Sequence, residues 1–528
     1  MAVYSVLALC LLSISGWAQS DRYMVFFKDK NGTPHSVSQP STFLSSRSLT
    51  RRAKAQVSVV FDDLPVTPSY VSQVRASGAK TFFTSRWMNA VLIEATPAVK
   101  NAVGMLSMVA SVEKVAPNPK LLGGRQAKGM KTTVSAATIP TDGQLAMLGI
   151  AAMHAEGLKG EGIVIALCDS GFPGVNTTAP FQPTARIQMT ADFITNSSNV
   201  YQFHDHGTIV LSTIAAQSSA FTGGATMAGY LLFVTEDAFT EYRIEEYNWL
   251  FAAEKADSAG ADIIQSSLGY NLFDDPLMDY KISDLNGTTA VISRAASLAR
   301  DRGIIVVTSA GNEGASSWRF VTPPADADGI LAVGAVNLSG AKVSFSSVGP
   351  TTDGRIKPDV AALGAGVSVI TSAGQPGTSS GTSLAAPLIT SLVAGLLQAY
   401  PQTRPSELVE AIKHSSSQGA NPDNSIGFGI PNFTAVRNYL EASRPDVDLY
   451  LHPNPSSGTV WITHKNLPEG AVDVVVYTPE GKVMLATSIT ISWLNNPLPI
   501  SVGELSPGLY LIQIKTAGTV ATLRFVKH

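Results

Sequence analysis

The chain has 528 residues, room for roughly three domains at about 100–200 residues each, so a single small module is excluded. Hydrophobic residues make up 45%, enough for a packed core; charged residues make up only 15%, against a usual ~25%, so the surface must draw on Ser, Thr, Gly and Asn. Lys and Arg number 37 and Asp and Glu 40, a net charge of -3 that offers no basic excess for nucleic acid, and two cysteines, Cys10 and Cys168, exclude a disulfide framework.

Residues Val3 to Ile14 form an apolar run, shorter than the ~20 residues of a spanning helix. Small residues follow at Gly16 and Ala18, the spacing a signal peptidase cleaves. A signal peptide over residues 1–19 is expected, cut after Ala18 or close to it and taking Cys10 with it. A short N-terminal anchor is the alternative.

From residue 20 to 120 the pattern predicts a small α+β body. Tyr23 to Phe27 reads as a strand, and Thr67 to Gly78 as a helix with Pro68 in its first turn and a glycine stop. Lys80 to Ser85 and Met88 to Ala95 read as strands, Pro97 to Met108 as a helix and Val112 to Val115 as a last strand. The order is that of a split βαβ domain, interrupted by an extra basic helix near Thr42 to Ala55. Pro117 to Pro140 has no periodicity and carries Arg125, Lys128 and Lys131. It reads as an exposed linker, where proteases cut.

From about 140 to 440 apolar strands alternate with Gly/Ser loops and helices. Ile163 to Cys168, Tyr230 to Val234, Asp262 to Gln265, Gly303 to Thr308 and Ile330 to Val333 are continuous apolar runs without alternation. Both faces must then be covered, which predicts a parallel sheet with helices on each side. Leu384 to Ala399 is interrupted by Pro387, Thr390, Ser391 and Gly395 and reads as a buried helix. Ser443-Arg444-Pro445-Asp446 ends this body with a linker that few contacts should cross. Residues 447–528 carry short β-rich runs at Trp461 to Thr463, Asp473 to Tyr477 and Leu509 to Ile514, separated by Pro-Gly turns, and predict a small all-β sandwich.

Several polar residues fall just after predicted strands or at helix starts. Ser383, in Gly381-Thr382-Ser383-Leu384-Ala385-Ala386-Pro387, opens a long helix whose free N–H groups favour developing negative charge. It also suits a plain N-cap. His206, opening the helix from Ile209 to Ala216, can supply a neutral imidazole as base. His204-Asp205-His206 could be read as metal ligands, but no third His or Cys lies near in sequence, and His204 reads as an exposed loop residue. Asp169 ends a predicted parallel strand, where α/β sheets place functional groups, and it also suits an Asx turn. Asn312, after the strand Gly303 to Thr308, can donate its amide to an oxyanion or shape a turn. Ser267-Leu268-Gly269 follows another strand end and offers backbone to an extended peptide. The chain order Asp, His, Ser argues against an α/β-hydrolase, which runs Ser, acid, His around G-x-S-x-G; residue 385 here is alanine.

These residues resemble the motifs of the subtilisin-like serine peptidases over roughly Gln144 to Leu440: Cys168-Asp169-Ser170-Gly171, His206-Gly207-Thr208 and Gly381 to Pro387. The resemblance implies a subtilisin-like parallel sheet with helices on both faces, a triad of Asp169, His206 and Ser383, and Asn312 in the oxyanion hole. It makes Ser267, Leu268, Gly269, Ala310 and Gly311 the substrate-binding walls. Two departures stand out: Ile209 replaces a histidine, and Leu211-Ser212-Thr213 replaces the usual Ala-Gly. Residues 20–120 resemble the prosegment of these enzymes, an intramolecular chaperone and inhibitor. Leu451-His452-Pro453-Asn454-Pro455 and Leu505-Ser506-Pro507-Gly508-Leu509-Tyr510 resemble a type IX secretion sorting domain over 447–528. A carbohydrate-binding β-module is the alternative, and it requires a line of exposed aromatics among Tyr450, Trp461, Tyr477, Trp493 and Tyr510.

The expectation is a secreted or surface serine endopeptidase, exported through periplasm and outer membrane. Its partners are protein substrates, its own prosegment and the secretion machinery. No cofactor and no nucleic acid are expected, and structural calcium is left without an assigned loop. Cys168 reads as buried core. A catalytically silent adhesion or scaffold protein, and an esterase or ligase using the same triad, are the competing functions.

Overall fold

The apolar runs without alternation pair side by side in the computed structural model, which describes residues 20–117, 141–182, 184–442, 449–464, 470–491, 497–515 and 520–528. The leader over 1–19, most of the Pro117 to Pro140 linker and the Ser443 to Asp446 linker lie outside the described residues. The chain divides into two units. One is formed by the described residues up to Pro34 together with those from Pro65 to Pro117. The other comprises 35–64 and everything described from Thr141 on.

In the first unit β1 (Asp21–Phe27) leads, after residues 35–64, to α2 (Pro68–Ala76), β2 (Lys80–Ser85), β3 (Ala90–Ala95), α3 (Pro97–Gly104) and β4 (Val109–Ala116); α1 (Ser46–Ala55) lies in the intervening segment. The strands form an antiparallel sheet ordered β2-β3-β1-β4. Val25, Val91 and Ile93 of the sheet pack with Val74 of α2 and Val103 of α3 in one core. This is the expected split βαβ arrangement. Helix α3 starts where Thr96 caps the Val99 N–H, and it stops at Gly104, so β4 begins earlier than the apolar pattern suggests.

The second unit carries α4 (Asp142–Met147), α5 (Ile150–Ala155), β5 (Val164–Asp169), β6 (Arg186–Asp192), α6 (His206–Ala215), β7 (Gly229–Val234), α7 (Ile244–Ala259), β8 (Ile263–Ser266), α8 (Val291–Asp301), β9 (Ile305–Ser309), β10 (Leu331–Val336) and β11 (Val360–Leu363). A hairpin of β12 (Val367–Ile370) and β13 (Pro376–Ser379) precedes α9 (Thr382–Ala399), α10 (Pro405–His414) and α11 (Phe433–Ala442). Seven strands pair in parallel in the order β11-β10-β9-β8-β5-β7-β6. From β5 the chain fills one side with β6 and β7, then crosses to β8 on the other. The connections diverge at the C-terminal ends of β5 and β8, the crevice where such sheets place ligands.

Two of these strands escaped the sequence pattern. β6 is an edge strand with mixed exposure along its length, so it lacks a continuous apolar run. β11, Val-Ala-Ala-Leu, is half alanine, a residue depleted in strands, and all four of its residues are buried. α9 is long and apolar enough to cross a membrane by length and composition, yet it is buried within the fold, as its interruptions predict. It packs on α6 and on the sheet. Full burial contributes about 1.5–3 kcal/mol per large aliphatic side chain, and Leu384, Leu388, Ile389, Leu392 and Leu396 are all fully buried.

The tail is formed by β14 (Leu449–His452), β15 (Thr459–His464), β16 (Gly470–Tyr477), β17 (Val483–Ile491), β18 (Leu498–Ser501), β19 (Gly508–Lys515) and β20 (Val520–Lys527). Antiparallel sheets β14-β15-β18 and β17-β16-β19-β20 share one core that includes Val460, Ile500, Val474, Ile512 and Phe525. None of Tyr450, Trp461, Tyr477 and Tyr510 is exposed, so these residues do not form the line a carbohydrate-binding face requires; Trp493 lies outside the described residues. The expectation of few contacts across the junction is corrected. The Tyr450 hydroxyl donates to Glu441 (2.8 Å) and accepts from the Tyr400 hydroxyl (2.6 Å), and Ser457 donates to Glu161 at 3.2 Å. The polar tips of two tyrosines need partners when their rings are buried, and here each supplies the other's.

His452 sits beside Tyr450, with Glu156 Oε2 3.9 Å away, and Glu156 is paired with Arg437 at 2.6 Å. Burial, with the Arg437 charge adding to it, pushes the imidazole down to about 3. An unfolded imidazole titrates near ~6.5. The unfolded chain therefore takes up the proton first as pH falls, and the stability tied to neutral His452 is whole above ~6.5 and lost progressively toward about 3. Between pH 7 and pH 5 this is a loss of about 2 kcal/mol. Glu156, raised by burial, acts in the opposite sense, so the difference between wild type and His452→Phe isolates the histidine. Melting curves of the Ser383→Ala chain at the two pH values should show a fall that His452→Phe reduces. Equal falls in both would remove His452 from the account.

Candidate active site

Continuous burial of β5 delivers Asp169 to the C-terminal end of the sheet with no exposure of its own. The carboxylate is well supplied with donors. Ser170 donates to Oδ1 through its backbone N–H (2.7 Å) and its hydroxyl (3.2 Å). His206 Nδ1 lies 2.9 Å from Oδ1 and 3.0 Å from Oδ2. A carboxylate accepts only, so Nδ1 carries the proton and Nε2 keeps its lone pair.

Glycines set this contact. A Cβ on Gly207 would lie 2.4 Å from the Gly171 carbonyl and 3.0 Å from the Asp169 Cβ, and one on Gly171 would lie 2.3 Å from the Gln202 carbonyl. The first turn of α6 can reach the end of β5 only because both positions lack a side chain. His204 is half-buried and not the exposed loop residue expected: its Nδ1 accepts the His206 backbone N–H at 3.2 Å, satisfying a donor at the start of α6. Among the described residues no group of three or more His, Cys, Asp or Glu side chains is placed to hold a metal ion. Ile209 is buried in the core. Ser212, one of the departures from the family pattern, accepts the Ile370 N–H at 2.9 Å and so ties α6 to β12.

Ser383 stands in the first turn of α9 and is nearly buried. Its hydroxyl donates to the Ser267 carbonyl at 3.4 Å, while the Ser267 hydroxyl donates to the Ser383 carbonyl at 2.8 Å and accepts from Gln265 at 2.7 Å. The end of β8 and the start of α9 are thereby clamped. Asn312 accepts at Oδ1 from the Thr382 N–H (2.9 Å) and hydroxyl (3.0 Å). Two donors on that oxygen assign the amide's orientation and turn Nδ2 toward Gly381, where a Cβ would lie 3.7 Å from it. Cys168 is fully buried beside Asp169, and burial pushes its thiol well up, as a core residue requires.

Ser267, Leu268 and Gly269 follow β8, and Ala310 and Gly311 follow β9, adjacent strands whose ends stand side by side. Thr322 lies between them and carried no sequence signal. A Cβ on Gly269 would be 2.1 Å, and one on Gly311 2.7 Å, from its Oγ1. The Thr322 N–H donates to the Ala310 carbonyl at 3.1 Å, and its buried hydroxyl has no hydrogen-bond partner. It lies in the loop from Ser316 to Asp328, outside the motif residues, and the fold sets it between the walls. The supporting residues Ser170 and Thr382 were also missed, although each sits beside a motif residue.

Residues 160–429 match the model described as the Subtilase family, 22–131 that of the Peptidase S8 propeptide domain, Bacteroidota, and 450–528 that of a Secretion system C-terminal sorting domain. Subtilisin NAT of Bacillus subtilis subsp. natto is 30% identical over 294 residues, covering 54% of this chain and 68% of that protein. The subtilisin of Bacillus pumilus is 30% identical over 256 residues, 47% of this chain and 82% of its own. Serine protease AprX of Bacillus subtilis (strain 168) is 25% identical over 377 residues, 65% of this chain and 78% of that one. The tail marks the chain for type IX export, to the cell surface or the medium, and the carbohydrate-module alternative falls away. With a family model spanning more than half of its length and a relative of the same family at 30% identity, the chain belongs to the subtilases and is a serine endopeptidase with a propeptide.

Proposed function

We propose that this chain cleaves peptide bonds of proteins with Ser383 as nucleophile, His206 as general base and acid, and Asp169 as the group that orients His206. The observation that carries the reading is the Asp169–His206 bond, which leaves Nε2 as the free base of the pair. On substrate binding the Ser383 hydroxyl exchanges the Ser267 carbonyl for His206 Nε2, gives up its proton as it attacks, and the imidazolium returns that proton to the leaving amine. Asn312 Nδ2 and the Ser383 N–H, at the positive end of α9, receive the oxyanion. No step needs a cofactor, and calcium is assigned to no loop. Residues 1–19 serve as the leader, 20–120 as prosegment and intramolecular inhibitor, 140–440 as the peptidase and 447–528 as the tail read by the secretion machinery.

Ser383→Ala should lower peptide hydrolysis by about 10⁶, the figure known for subtilisin. Asn312→Ala should lower turnover by roughly 10²–10³ with the melting temperature nearly unchanged. Initial rates on a protein substrate check both; a Ser383→Ala enzyme with wild-type rates would refute the triad.

The walls Ser267 to Gly269 and Ala310–Gly311 form the slot for the residue preceding the scissile bond, and Thr322 fills it. The slot therefore favours small side chains. Thr322→Gly should raise kcat/KM for a phenylalanine at that position, relative to alanine, by roughly 10–200-fold, the range a change of pocket volume commands. A peptide library cleaved by both enzymes reads this directly, and an unchanged profile would place the slot elsewhere.

A further inference from the structure

The segment 35–64 is covalently part of the propeptide region, yet it folds with the second unit. Its helix α1 carries Arg47, Arg51 and Arg52 on one face. The Arg51 guanidinium is paired with Asp257 at the end of α7, and Nη1 donates to the Ala261 carbonyl at 2.7 Å. Arg52 holds Asp63 of its own segment by two bonds, of 2.9 and 3.1 Å, and reaches Asp257 at 2.8 Å. Arg302, at the end of α8, returns a bond of 2.7 Å to Asp63. Arg47 pairs with Asp262 and donates to the carbonyls of Gly260 (2.9 Å) and Gly162 (2.8 Å). Arg51, Arg52, Asp63, Asp257 and Arg302 are all buried. The helix is also closely seated: a Cβ on Gly260 would meet Arg47 at 2.7 Å, and one on Gly303 would meet Ala55 at 2.5 Å.

We propose that the face formed by Asp257, Gly260 to Asp262 and Arg302 is a docking site for the 35–64 segment, and that it keeps the prosegment attached after the 118–140 stretch is cut. Asp262 precedes β8 and Gly162 precedes β5, so the dock lies at the N-terminal edge of the sheet. Asp169 stands at the other end of β5, five residues on, or about 17 Å at ~3.3 Å per residue. The segment therefore does not act by occupying the catalytic groups. It acts as a tether. Chain continuity at Pro34–His35 and Leu64–Pro65 ties it at both ends to the split βαβ unit. Cutting the chain beyond residue 117 severs neither link. After the cut no covalent bond joins the N-terminal fragment to the remainder, so its retention rests on the noncovalent contacts of the dock.

The charges stay in place over the working pH range. Burial raises the Asp63 carboxyl, but bonds from Arg52, the Arg302 charge and the Val60 N–H outweigh it and hold it at about 2. Its contribution is complete above the ordinary carboxylate range and is lost progressively as pH falls from that range through about 2, so Asp63 stays charged in mild acid.

The proposal rests on reading residues 20–120 as the prosegment, and its test reads binding, not hydrolysis, so failure of the triad reading would leave the measurement standing. The full chain carrying Ser383→Ala and a site-specific protease sequence within 118–140 is cut, diluted to nanomolar concentration and followed by gel filtration. The N-terminal fragment should co-elute with the remainder. Arg51→Ala/Arg52→Ala should dissociate roughly 10²–10³-fold faster, since truncating one side of a buried charge pair acts on the off-rate. Equal release from both chains would overturn the proposal. Should the double variant fail to fold, hydrogen exchange on the cut parent decides: α1 amides that stay protected support the dock, and α1 amides that lose protection while α7 keeps its own refute it.

Discussion

Everything the site does depends on how closely the first turn of α6 approaches the end of β5. That distance is set by the absence of two side chains, at Gly171 and Gly207. With it the imidazole of His206 meets both oxygens of Asp169. A single added methyl at either position would have to displace backbone carbonyls, which cannot fold away as a flexible side chain can. The Asp169–His206 contact is thus a packing result first and an electrostatic one second.

The remaining groups are brought in by the parallel sheet. Because β5, β8 and β9 point the same way, their C-terminal ends converge on one edge, and the loops that follow them carry Asp169, Ser267 and Asn312 to one side. The buried helix α9 then delivers Ser383 from beneath, and its start is fixed by Ser267 and by Asn312 through Thr382. The same hydrogen bonds that satisfy otherwise orphaned groups at the helix start also orient the Asn312 amide. Structural satisfaction and catalytic preorganisation are one arrangement here.

The opposite edge of the sheet has its own chemistry. The N-terminal ends of β5 and β8 meet α1, with arginines of the 35–64 segment set against aspartates of the peptidase body and Arg302 set against Asp63. Buried charges are costly unless paired and hydrogen-bonded, and each of Arg51, Arg52, Asp63, Asp257 and Arg302 has an oppositely charged partner across or within this contact. At the tail, the hydroxyls of Tyr400 and Tyr450 and the carboxylate of Glu441 join the two parts by hydrogen bonds.

The sequence alone determined the fold class, the parallel strands β5, β7, β8, β9 and β10 and the buried helix α9, and it singled out Asp169, His206, Asn312 and Ser383 as candidates. These are local matters: apolar runs without alternation, glycine stops and motifs written in consecutive residues. Three features were decided only by the tertiary structure. Thr322 lies between Gly269, far from it along the chain, and Gly311, which is near, and only the folded chain sets it between the two. The basic helix that interrupts the split βαβ pattern reads as an intrusion in the sequence, because its partners Asp257 and Asp262 come some two hundred residues later. The junction before Tyr450 looked free of contacts because a linker is judged from its own composition, whereas the Tyr400 and Glu441 that hold the tail come from helices already closed by other rules. Local conformation is encoded in neighbours; the partner of a buried charge or hydroxyl is chosen by the folded chain.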